Sequence, residues 1–408
     1  RLRMLNLTDL IARAQPGDAV LVRSDLNAPL GGSPPSVTDE TRLVASLPTL
    51  RSLVSAGLRV VLCSHLGRPT GPDPALSLAP VAEKLAGLLA ARGAAVPVHF
   101  TGGMPTGPDR ERLLGEVGPG EVGLLENLRF DPREKGNDPT FADELVSGLQ
   151  HFVNDAFGTC HRAHASVVGV AERLPACGGL LVERELEVLS DLRGRPARPY
   201  WVILGGAKVS DKIGVVERLR DLVDGFVVGG GMANTFLAAK GVRVGGSRVE
   251  EGAVELARQL LEHSGEARWV LPVDGVVAAG LDEPEGTVVD LETGEVEGMI
   301  LDIGPRTIDL AARALHGART IFWNGPPGVF EKAPFAEGTR SFAELLADHP
   351  ARVVVGGGDT AAAARRFGIA ERVSHVCTGG GAALEYLEGK DLPGLVALEA
   401  SALRQGPR

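Results

Sequence analysis

Short β-branched runs recur along this chain, and each is apolar at consecutive positions rather than at alternate ones. They are Val20–Val22, Arg59–Cys63, Val122–Leu125 and Phe152–Asn154 in the first half. In the second half they are Trp201–Leu204, Gly225–Val228, Trp269–Leu271, Thr320–Trp323, Val353–Val355 and His375–Cys377. A strand with one wet face alternates; a strand covered on both faces does not. The pattern therefore predicts parallel sheets with helices on either side. The segments between the runs read as helices with clear stops. Asp39–Ala56 ends at Gly57, Gly231–Lys240 at Gly241 and Thr360–Phe367 at Gly368, each glycine suiting the left-handed turn that closes a helix.

A chain of 408 residues exceeds what one typical core organises and suits two domains. The predicted fold class is α/β, with two doubly wound, Rossmann-like parallel-sheet domains joined by a helix and hinge. A single β/α barrel fits less well, because of the long middle segment. There, Val182–Leu192 reads as one charged helix, followed by the Pro- and Arg-rich stretch Arg193–Pro199. The expected domains are therefore 1–181 and 200–392, with 182–199 connecting them.

With 44% hydrophobic and 23% charged residues, the chain is of ordinary globular composition. A net charge of −10 argues against broad nucleic-acid binding and against docking to an anionic membrane. It leaves room for a local basic pocket. The cysteines, Cys63, Cys160, Cys177 and Cys377, form no C-x-x-C pair and no zinc-like spacing. Reduced thiols in the cytosol are the simplest expectation. The start, Arg1-Leu2-Arg3-Met4, is basic without the apolar stretch of a signal peptide, and no apolar run is long enough to span a bilayer.

In the second half, glycine clusters follow predicted strands: Gly229–Gly231, Gly356–Gly358 and Gly379–Gly381, with a further turn at Gly205-Gly206-Ala207-Lys208. Such turns at helix starts expose N–H groups to an anion, although a single cluster is more simply a tight turn. Gly356–Ala361 matches the dinucleotide pattern G-x-G-x-x-A, but no acidic residue follows at the distance a ribose partner needs. Asp359 instead sits directly behind the glycines, where a carboxylate can serve Mg²⁺ beside phosphates or simply cap the helix. No P-loop pattern occurs. Lys208 and Lys212 flank a segment expected to open a helix at Ser210 or Asp211. Cations there oppose the helix dipole, which favours an anion-binding role.

In the first half, Asp25, Asn27, Arg42, His65, Arg68, Arg129 and Arg162 all lie at or beyond predicted strand ends. One arginine is usually a solvated surface charge, but a concerted set matches phosphate and carboxylate geometry. Asp25 and Asn27 can accept from a substrate hydroxyl. His161 and His164 form a metal pair only if a carboxylate and a third ligand join them.

These segments in their order resemble phosphoglycerate kinases over nearly the whole chain. The carrying stretches are Val22–Leu30, Ser64–Pro69, Leu125–Phe130, Asp155–Ser166, Leu204–Ile213, Gly229–Phe236, Trp323–Glu331, Gly356–Thr360 and Thr378–Ala382. The resemblance implies reversible phosphoryl transfer between 1,3-bisphosphoglycerate with MgADP and 3-phosphoglycerate with MgATP. It implies glycerate binding by Asp25, Leu26, Asn27, Arg42, His65, Leu66, Gly67, Arg68, Arg129 and Arg162 in the first domain. Lys208, Lys212, Asn324, Glu331, Gly356, Gly357, Gly358, Asp359 and Thr360 would hold the nucleotide in the second, with Glu331 towards the ribose and Asp359 serving Mg²⁺. Arg42, Lys208, Gly358 and Gly381 would surround the transferring phosphoryl group, with no general base, and the domains would close for transfer. It further implies a cytoplasmic monomer whose tail, 393–408, returns to the first domain. Ser24, Ala28, Ile300, Pro327 and Cys377 depart from the family's usual residues.

Overall fold

In the computed structural model, residues 4–91, 96–263 and 265–406 are described. The chain divides into two compact units, 1–187 with 391–408, and 188–390. The boundary lies inside the helix Leu180–Gly194. Arg1–Arg3, and the last two residues of the tail segment 393–408, lie outside the described residues.

The first unit carries a six-stranded sheet in the order Val98–Phe100, Val122–Leu124, Arg59–Cys63, Ala19–Ser24, His151–Asp155 and Ala176–Gly178, all parallel. Ala19–Ser24 is central and wholly buried, which is why Ala19–Val22 are apolar in succession; Arg23 and Ser24, at its end, are buried as well. Leu21 pairs with Val61 on one side and Phe152 on the other. The chain leaves this strand first towards Arg59–Cys63 and later returns on its far side, so a topological switch lies at its carboxyl end. The helix Pro393–Gln405 packs on this unit. The Gly394 N–H donates to the Cys160 carbonyl at 2.9 Å, and Ser401 Oγ accepts the Ala176 N–H at 3.0 Å.

The second unit repeats the plan with Arg268–Val270, Gly225–Val228, Tyr200–Leu204, Thr320–Asn324, Arg352–Val355 and His375–Val376, again all parallel. Its switch point lies between the ends of Tyr200–Leu204 and Thr320–Asn324. Trp201 and Trp323 are fully buried in its core, and Trp323 satisfies its ring N–H on the Gly325 carbonyl at 3.0 Å.

The glycine stops read from the sequence are present. Gly57, Gly241 and Gly368 stand at φ 73°, 80° and 70°, after helices Thr41–Ser55, Gly230–Ala239 and Gly358–Arg366. An antiparallel sheet, Thr287–Asp290, Asp274–Ala278 and Met299–Ile303, has no counterpart in the sequence reading. The helix after Lys208 also begins later than expected. It runs Ile213–Leu219 with Lys212 as its cap residue, so only Lys212 faces the helix dipole. Among the described residues no helix is long and apolar enough to cross a membrane.

Candidate functional site

In the first unit the central strand delivers Asp25 and Asn27 to the carboxyl edge, and neighbouring loops lock them there. The Leu26 N–H donates to Ser64 Oγ at 2.9 Å, and Asn27 Oδ1 accepts the Gly67 N–H at 2.9 Å. Gly67 stands at φ 61°, and a Cβ there would meet Leu76 at 2.9 Å. Asn127 ties the next loop in, donating to the Leu66 and Leu76 carbonyls at 2.8 and 2.9 Å. Arg129, two residues on, donates to the Gly67 carbonyl at 2.5 Å. Asn127 and Glu126 bear on position only, and the sequence reading left them within a motif without roles.

The cations converge. Burial first, and then the fields of Arg23, Arg129, Arg162 and Arg42, hold the His65 imidazole far below its usual range. Burial, with Arg162, Arg23 and Arg68 adding repulsion, lowers Arg129 to about 10 against the pull of Glu134. Burial and Arg129, Arg23, Arg162 and His161 bring His164 down to about 4. Arg42, at the start of the helix Thr41–Ser55, pairs with Asp25. Arg42, His65, Arg68, Arg129 and Arg162 are thus brought together in one neighbourhood. Arg23, buried on the central strand, joins them. It follows directly on the apolar run Val20–Val22, at a place that reads as the end of a strand rather than as part of a site. Glu134 is the buried carboxylate in this group. Repelling guanidinium groups with so little internal compensation suit an anion with more than one charged group. His161 and His164 belong to no three-ligand group close enough to hold a metal among the described residues.

In the second unit, glycines do two different jobs. A Cβ on Gly205 would lie 2.3 Å from the Pro326 carbonyl oxygen, one on Gly325 2.3 Å from Gly205, and one on Gly229 2.6 Å from Pro327. The Gly229 and Gly230 N–H groups are spent on the Leu204 and Pro327 carbonyls, each at 2.8 Å. Gly229 and Gly230 therefore serve close packing of loops, which corrects their reading as anion donors. Pro327, a departure from the family pattern, forms the surface against Gly229. Gly358 and Gly380 meet nothing within 4 Å of a built Cβ. Gly358 and Gly381 open helices, whose first N–H groups have no partner inside the helix. Gly357, at φ 93°, is the cap of Gly358–Arg366. Asp359 is therefore a first-turn residue rather than the cap, and its carboxylate is exposed.

Around this turn the polar groups interlock. Lys212 Nζ donates to Asn324 Oδ1, and Asn324 Nδ2 donates to the Gly356 carbonyl at 2.7 Å. Thr360 Oγ1 accepts the Gly325 N–H at 2.7 Å. Burial lowers the Lys212 ammonium, opposed by Asp211, Asp359 and Glu388. Lys208 and Glu331 are exposed. Ile300 donates its N–H to Ser247 Oγ at 2.8 Å, so this departure leaves its backbone satisfied. A groove of about 1050 Å³ lined by Trp201, Trp269, Arg258 and Arg313 contains none of these residues. Beside the interlocked turn, the helix starting at Gly358 presents open N–H groups of the kind an anionic ligand needs.

The family model described as phosphoglycerate kinase matches residues 11–390. A phosphoglycerate kinase of Salinispora arenicola (strain CNS-205) is 53% identical over 402 residues, covering 96% of this chain and 98% of that protein. One of Chloroflexus aggregans is 49% identical over 390 residues, covering 94% and 96%. The solved phosphoglycerate kinase from Coxiella burnetii superposes with a TM-score of 0.85 at 38% identity, covering 98% of this chain and all (100%) of that one.

Proposed function

The chain belongs to the phosphoglycerate kinase family, and we propose that its two anion sites divide that reaction's substrates between them. The reaction is reversible phosphoryl transfer between 1,3-bisphosphoglycerate with MgADP and 3-phosphoglycerate with MgATP, a step of glycolysis. In this reading Arg42, His65, Arg68, Arg129 and Arg162, with Asp25, Asn27 and the Leu26, Leu66 and Gly67 backbone, hold the glycerate. Lys208, Lys212, Asn324, Glu331 and Gly356–Thr360 hold the nucleotide. The observation that carries the division is the contrast in donors: clustered arginines in one unit, open glycine turns at helix starts in the other.

The carboxylate and phosphate nucleophiles of this reaction are already ionised, so no general base is needed. What the residues supply is position and positive charge around the transferring group. Arg42, Lys208 and the N–H groups of Gly358 and Gly381 fill that role. Mg²⁺ arrives with the nucleotide and neutralises phosphate charge; Asp359, exposed in the first helical turn, is the carboxylate suited to it. Transfer requires the two substrates to meet, so turnover requires domain closure, which also excludes water from the acyl phosphate. A monomer in the cytoplasm with no nucleic-acid or membrane partner completes the proposal. A coupled assay of ATP consumption tests it. Consumption that depends on 3-phosphoglycerate supports it, and its absence with folded protein refutes it.

A further inference from the structure

His65 is a buried histidine facing guanidinium groups, and only one of its ring nitrogens is turned to a donor of fixed identity. Arg23 Nη2 lies 2.9 Å from His65 Nδ1. A guanidinium has no acceptor, so it donates and Nδ1 must accept. Arg23 is in turn held by its other donors. Nε donates to Ser166 Oγ at 3.0 Å, and Nη1 donates to the Ser24 carbonyl. The Ser166 hydroxyl, its oxygen already accepting from Arg23, donates to Glu134 Oε1 at 2.6 Å, while the Ser166 N–H donates to Glu134 Oε2 at 2.9 Å. Burial raises the Glu134 carboxyl, while Arg23 and the two Ser166 bonds pull it back towards the ionised form; as the carboxylate it accepts both bonds, and the directions outwards to His65 follow. Glu134, Ser166 and Arg23 are all about 1% exposed or less, so water does not compete for these groups.

We infer that Glu134, acting through Ser166 and Arg23, holds His65 as the neutral tautomer with its proton on Nε2, so that the ring offers the substrate anion a hydrogen bond without carrying charge. The inference rests on the assignment of the arginine cluster to the glycerate. Arg42, Arg129 and Arg162 also act on His65, and their repulsion opposes a charge on the ring. A neutral donor adds direction where the arginines already supply charge, and it does so at constant strength across physiological pH. Glu134, Ser166 and Arg23 are positioning residues here; His65 alone meets the substrate.

The test is NMR of the full chain labelled at the histidine ring nitrogens, first without substrate. The expected spectrum has an unprotonated Nδ1 and a protonated Nε2 for His65, unchanged between roughly pH 5 and 8. A proton on Nδ1, or an imidazolium forming in that window, overturns the inference. Ser166→Ala is expected to mix the two tautomers and to raise KM for 3-phosphoglycerate about tenfold, with kcat changed less than about twofold. Ser166→Thr, which keeps the hydroxyl, is expected to restore both readouts. Glu134→Gln preserves volume and tests the far end of the chain should the alanine variant not fold; mixed tautomers are expected there too. A His65 spectrum and KM unmoved in these variants would remove Glu134 and Ser166 from the account. If the wild-type tautomer is as expected but 3-phosphoglycerate does not bind, the substrate assignment fails while the Glu134–Ser166–Arg23 control of the His65 tautomer stands.

Discussion

The first unit crowds Arg23, Arg42, Arg129 and Arg162 around His65, and Arg68 beside Arg129, with Glu134 and Asp25 as the acids beside them, whereas the second offers Lys208 and Lys212, a few polar side chains and open backbone N–H groups. Both are six-stranded parallel sheets that present loops at a switch point. The difference lies in what those loops carry. A glycerate phosphate brings no counter-ion, so the protein must provide the cations. A nucleotide arrives with Mg²⁺, and oriented N–H groups at helix starts then suffice. The cost of each solution differs too. Arginines that repel one another must be held by buried partners, whereas the open turns at Gly358 and Gly380 depend on neighbouring loops, at Gly205, Gly229 and Gly325, packed so tightly that a Cβ does not fit.

This contrast can be broken by substitution. The largest effect is expected from the charges: Arg42→Ala should lose about 2–4 kcal/mol of transition-state stabilisation, read as a fall in kcat/KM of about 30- to 1000-fold. Turnover at the wild-type rate would remove Arg42 from the transfer step. Next comes Gly325→Ala, where a Cβ would sit 2.3 Å from Gly205 at φ 113°. Crowding and left-handed strain together should cost about 2–3 kcal/mol in denaturant unfolding; an unchanged midpoint would show that the loops have room.

Another effect concerns pH. Asp302, in the second unit, is buried and accepts the Gly338 and Ile303 N–H groups; burial raises it to about 7. Its folded value thus exceeds the unfolded one, so the native state holds the extra proton between about pH 4 and 7. Its contribution is full below that window and is lost as pH rises through it, by at most about 1.4 kcal/mol per pH unit. Asp302→Asn should flatten that slope in pH-dependent unfolding; a slope unchanged from wild type would contradict it. The mildest test is salt. KM for 3-phosphoglycerate should rise several-fold, by about half a log unit, between low and high salt, and more steeply than that for MgADP.

The parallel strands were legible because burial on both faces leaves an apolar run. Two edge strands were not. Val98–Phe100 is only half-buried, and Ala176–Gly178 contains no β-branched residue. The antiparallel sheet escaped because Thr287–Asp290 is partly exposed and carries polar ends. In the site, residues beyond strand ends stood out by type and place. Arg23 and Glu134 did not, since one hides in a strand and the other in a run of charges that looks solvated. The lysine segment misled because a helix start there depends on the turn Ser210 makes with Glu250, 40 residues away. Only the fold supplies that partner.

Calorimetric titration of Arg129→Ala with each substrate in turn tests the division of labour most directly. Arg129 is buried in the first unit and touches only the glycerate in this account. Affinity for 3-phosphoglycerate is expected to fall at least about tenfold while that for MgADP stays within about twofold. Equal losses for both ligands, or a loss confined to MgADP, would contradict the assignment of one substrate to each unit.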